Sequence, residues 1–100
     1  MATVYNEVLA AYDVEDNRSR TRLHKELKGI GLTPIQKSVF WGHLTPAEEE
    51  ATFRLFWEHL KSPEDRAFVI RAKISRQIDR RGHGYLPGEL YDTPKRYDIL

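Results

Sequence analysis

Four side chains near the start of the chain have the types and spacing for phosphate chemistry. An apolar run, Val8-Leu9-Ala10-Ala11-Tyr12, ends abruptly in Asp13, and Arg18, Arg20 and Arg22 follow at alternate positions. A carboxylate held at the end of a rigid element can bind a hard cation such as Mg²⁺, and guanidinium groups bind phosphate oxygens. Together they point to phosphodiester chemistry. Arg20 and Arg22 lie two apart, so on a helix they project to different sides and only one is expected to reach Asp13. Tyr12 and Phe40 are expected to pack and shape such a site. Ser38 fits either a turn or a hydrogen-bonding neighbour of the site.

The elements that must position these residues follow from periodicity. Residues 7–14 read as a first strand. Asn17 to Ile30 reads as a helix capped by Asn17, with Leu23, Leu27 and Ile30 on one side and Gly29 and Gly31 to stop it. Leu32 to Leu44 is rich in β-formers and is expected to give two short strands, broken near Gln36-Lys37-Ser38 or Gly42. Thr45-Pro46-Ala47-Glu48 carries the N-cap, the first-turn proline and the glutamate of a capping box, so a second helix starts there. Phe53, Phe56, Trp57 and Leu60 form its apolar stripe, and Trp41, Phe53, Phe56 and Trp57 are expected in the core or at a dimer interface. Ala67 to Ile74 reads as the last strand, with Phe68, Ile70, Ala72 and Ile74 on one face. The order β-α-β-β-α-β predicts an α+β, ferredoxin-like domain over residues 1–74, with a four-stranded antiparallel sheet. One sheet face would need cover from a second subunit. Residues 75–100, interrupted by Gly82, Gly84, Pro87, Gly88 and Pro94, read as a C-terminal tail that adds one strand near residues 96–100 or orders on a partner.

Composition narrows the setting. The 100 residues make one domain, 40% hydrophobic and 31% charged, with no cysteine and hence no disulfide, thiolate ligand or thiol nucleophile. No run approaches the ~20 apolar residues of a membrane span, and the first residues lack the pattern of a secretory signal. A cytoplasmic protein is expected. The net charge of +1 is unevenly spread. Residues 14–40 carry six bases against three acids, whereas residues 45–65 carry six acids against Arg54 and Lys61. This is not the pattern of a generic polycation that coats DNA; a local basic surface could still bind phosphates, and a solvated mosaic surface fits the charge equally well. His24, His43, His59 and His83 show no metal-ligand spacing and are read as non-functional.

The strand ending Tyr12-Asp13-Val14, the basic first helix, and Gln36-Lys37-Ser38-Val39-Phe40-Trp41-Gly42-His43-Leu44-Thr45 before an acid-capped helix resemble the CRISPR-associated protein 2 family. The resemblance implies a homodimer in which Asp13 from each copy shares one Mg²⁺ at the two-fold axis, with Tyr12, Arg20, Arg22 and Phe40 as the other active-site residues. It implies a metal-dependent endonuclease acting on single-stranded RNA or double-stranded DNA. It further implies an adaptation complex in which the dimer bridges integrase subunits and binds DNA during spacer acquisition. A non-catalytic DNA-binding scaffold of that complex and a related toxin-type ribonuclease are the alternatives. One position departs from the pattern: many members carry a basic residue just before the glutamine of the second strand, where this chain has Thr33-Pro34-Ile35.

Overall fold

A computed structural model describes residues 3–86 and 88–90. Its elements are β1 (Asn6–Asp13), α1 (Asn17–Ile30), β2 (Thr33–Gln36), β3 (Val39–Leu44), α2 (Pro46–His59), β4 (Arg66–Arg71) and α3 (Ser75–Arg81). The four strands form one antiparallel sheet in the order β2-β3-β1-β4, the ferredoxin-like arrangement. Strand β1 is therefore central. Strand β2 lies at an edge, where a proline is tolerated, and a register shift falls between Pro34 and Gln36.

Alternation along β1 divides the sheet into two faces. Val8, Ala10 and Tyr12 are buried and join Leu23 and Leu27 of α1, Phe40 and Leu44 of β3 and Phe56 of α2 in the core. Glu7, Leu9, Ala11 and Asp13 point to the opposite face. Their cross-strand partners are His43, Trp41 and Val39 on β3 and Ile70, Phe68 and Arg66 on β4. Phe68 is 44% exposed and Ile70 50%, so half of this face lies open.

Three local expectations are corrected. Asp16, not Asn17, caps α1: its carboxylate accepts from the Ser19 amide at 2.8 Å, because Asn17 already has helical backbone. The last strand stops at Arg71, and Ile74 precedes α3. The segment read as a tail from Ser75 begins with that helix; its amide ends at Ile74 and Ser75 are held by Glu7 Oε2 at 2.9 and 3.1 Å. The same oxygen accepts from Trp41 Nε1 at 2.8 Å, so one carboxylate ties β1, β3 and the start of α3 together. The capping box of α2 is formed as expected, with Glu48 Oε1 accepting from the Thr45 amide and Thr45 Oγ1 from the Glu48 amide. The strand expected near residues 96–100 lies outside the described residues.

Candidate active site at the end of the first strand

Asp13 is the last residue of β1 and is exposed on the open face of the sheet. Arg66, also exposed, is its direct cross-strand partner on β4, so a cation stands on the same face beside the carboxylate. Among the described residues no side chain bonds to the Asp13 carboxylate. Its oxygens are available to a ligand.

The backbone on both sides of Asp13 is fixed. The Tyr12 amide donates to Ser38 O at 3.1 Å, tying β1 to the β2–β3 turn. Beyond Asp13 the chain is held from two directions. Arg20 donates through Nη1 to Val14 O at 3.1 Å and through Nη2 to Asn17 Oδ1 at 2.8 Å. Asp65, in the loop before β4, accepts from the Glu15 amide at 3.1 Å. Asp65 also accepts from the Lys61 and Ser62 amides at 3.0 and 3.1 Å, and these backbone donors hold its carboxyl below the usual aspartate range. The result is a carboxylate at a strand end braced on both sides by hydrogen bonds.

The other expected site residues divide by face. Tyr12 is 6% exposed and packs on the core side, its ring stacked on Phe40 with centroids 6.0 Å apart. Burial raises the Tyr12 hydroxyl above its ordinary pKa; the Ser38 hydrogen bond and the Arg20 charge act in the opposite direction. Phe40 is fully buried, with His24 edge-on to it at 5.0 Å. Both aromatics therefore shape the strand end from beneath. Arg20 stays with the loop that follows Asp13. Arg22 goes elsewhere: it lines a groove of about 1040 Å³ between α1 and α2, together with Arg18, Lys25 and Arg54. The structure thus brings Asp13, Tyr12, Phe40 and Arg20 to one end of the sheet and leaves Arg22 on the helical side.

Sequence reading did not single out Arg66 as a neighbour of Asp13. The strand expected from Ala67 began one residue too late, and the pairing follows only from the β1–β4 register. As a metal site, Asp13 offers hard oxygen donors of the right kind. One carboxylate is nevertheless too few for an octahedral ion, so the remaining ligands must come from water, substrate or another chain.

The class is then a ferredoxin-like α+β domain with an exposed carboxylate, unbonded among the described residues, where its first strand ends. A sequence model of the family described as CRISPR associated protein Cas2 matches residues 6–81, from β1 through α3, and the chain belongs to that family. It is 43% identical over 79 residues to CRISPR-associated endoribonuclease Cas2 1 of Francisella tularensis subsp. novicida, covering 79% of this chain and 80% of that protein. It is 37% identical over 86 residues to CRISPR-associated endoribonuclease Cas2 of Korarchaeum cryptofilum, covering 81% of this chain and 92% of that one. Among solved structures, a hypothetical protein, TT1823 from Thermus thermophilus, superimposes with a TM-score of 0.63 at 26% identity, over 70% of this chain and 84% of that chain.

Proposed function

We propose that this chain is a metal-dependent endoribonuclease that works as a homodimer, with Asp13 of each copy holding a shared Mg²⁺. The observation that carries the reading is the placement of Asp13: exposed and, among the described residues, unbonded, at a braced strand end on a sheet face that also exposes Phe68 and Ile70. Covering those apolar side chains with the same face of a second copy would bring a second Asp13 toward the first. Two carboxylates so placed repel one another unless a cation lies between them. The relatives named as endoribonucleases agree with this chemistry.

The residues of this chain have separable tasks. Asp13 supplies the oxygen donors for the cation. Arg20 holds the loop that follows it, and Tyr12 on Phe40 supports the strand end from the core. Arg66 stands where a guanidinium can meet the charge that gathers on phosphate oxygens. When bound, the metal would supply a water that is easier to deprotonate.

A second reading rests on the separation of Arg22 from Asp13. Arg18, Arg22 and Lys25 form a basic helical surface remote from the open face, suited to holding a phosphate backbone without cutting it. This supports a DNA-binding scaffold that joins integrase subunits in spacer acquisition, alone or alongside cleavage. The Asp13→Ala variant separates the two. Mg²⁺-dependent cleavage of single-stranded RNA is expected to fall by at least about 100-fold, while duplex DNA binding stays unchanged. Undiminished cleavage would remove Asp13 from the mechanism.

A further inference from the structure

The helical side of the molecule, away from Asp13, carries a second set of ligand-type side chains. Glu26 of α1 and Glu58 and His59 of α2 each offer one donor atom, and the three atoms lie within 4.8 Å of one another. His59 is 7% exposed, and its Nε2 meets Glu26 Oε2 at 2.7 Å. The imidazole is thus held with its Nε2 against the Glu26 carboxylate. Glu26 and Glu58 also line the groove between α1 and α2, which leaves one side of the cluster open to solvent.

We infer that Glu26, Glu58 and His59 form a transition-metal site of the zinc class that clamps α1 to α2. The donor set selects the ion. One imidazole nitrogen with two carboxylate oxygens suits Zn²⁺ or Co²⁺ better than Mg²⁺ or Ca²⁺, which prefer oxygen alone. Donors already within 4.8 Å need only small side-chain movements to reach the ~2.0–2.2 Å bond lengths of zinc. The groove opening leaves the fourth position to water. Arg22, Lys25 and Arg54 share the groove, so a bound cation must compete with their charge. A strongly held transition metal meets that condition, and a weakly held hard cation does not. The ligands come from two helices: Glu58 and His59 are neighbours on α2, and Glu26 is brought to them from α1 by the packing of the helices. The site is independent of the reading of Asp13.

Zinc binding to the full chain carrying Asp13→Ala tests this with the first-strand carboxylate removed. Calorimetry is expected to show one Zn²⁺ per chain, and the melting temperature is expected to rise with zinc. Adding Glu58→Gln, an exposed position whose change leaves the fold intact, should weaken zinc at least tenfold and abolish the thermal shift. Glu26→Gln should do the same. Replacing zinc with Co²⁺ should give visible bands of a four-coordinate nitrogen–oxygen site, absent in Glu58→Gln. No zinc bound by the Asp13→Ala chain, or equal binding by the Glu58→Gln chain, would reduce the cluster to a hydrogen bond between helices.

Discussion

Asp65 shows how a single carboxylate sets the geometry of a site it does not enter. It accepts amide protons from Lys61, Ser62 and Glu15, and the last of these anchors the loop directly after Asp13. These bonds are made to the ionised form, so the folded pKa lies below that of the unfolded chain. The stabilisation is therefore complete above the ordinary aspartate value of about 4 and is lost as pH falls through the lower folded value. Asp16, capping α1 through the Ser19 amide, is depressed for the same reason and loses its contribution in the same window. Urea midpoints of the parent chain and an Asp65→Ala variant should differ clearly at pH 7 and converge toward pH 2. A gap that persists in acid would mean that Asp65 acts through packing and not through its charge. Arg20 belongs to the same scale, since its bonds to Val14 and Asn17 make it a brace for the loop before any phosphate arrives.

Helix α2 shows what an apolar stripe does and does not reveal. Phe53, Phe56, Trp57 and Leu60 recur at helical spacing, yet Phe56 is 3% exposed while Phe53 is 48% and Trp57 74% exposed. The reason lies in the neighbours. His59 and Thr52, both buried, mark the side of α2 that packs inward, which rotates Trp57 to the outside. Phe56→Ala is expected to cost about 3–5 kcal/mol of stability, whereas Trp57→Ala should stay within about 0.5 kcal/mol. Equal losses in chemical denaturation would show that Trp57 packs against something in solution. The capping box of α2, the β2–β3 break at Lys37-Ser38 and the end of α1 were legible because local chemistry alone dictates them. The α1 cap was missed by one residue, since Asp16 and Asn17 are equally good caps on paper. Contacts between elements left no local trace: neither the Asp13–Arg66 pairing nor the meeting of Glu26 with His59 has a spacing to find. His59, one of the histidines read as non-functional, lies with Glu26 and Glu58 in a group of ligand-type side chains.

At the level of the whole molecule, element order and strand pairing carried the fold, and the position of Asp13 carried the candidate site. The arginines were readable as a group but not as individuals, because which face of α1 meets the groove depends on α2. The open sheet face is the feature with the widest reach. If the proposed homodimer pairs through this face, Ile70→Glu should leave the circular dichroism spectrum of the fold intact while sedimentation shows a shift to monomer, and cleavage should fall with it. A variant that remained dimeric would move the interface away from this face. Under the proposed pairing, the open face would also set how the activity responds to dilution and to mixing. If each centre needs one carboxylate from each of two chains, specific activity rises with protein concentration until pairing saturates. Adding inactive Asp13→Ala chains to active ones would then poison them, since every mixed pair holds half a centre. An inert copy becomes an inhibitor.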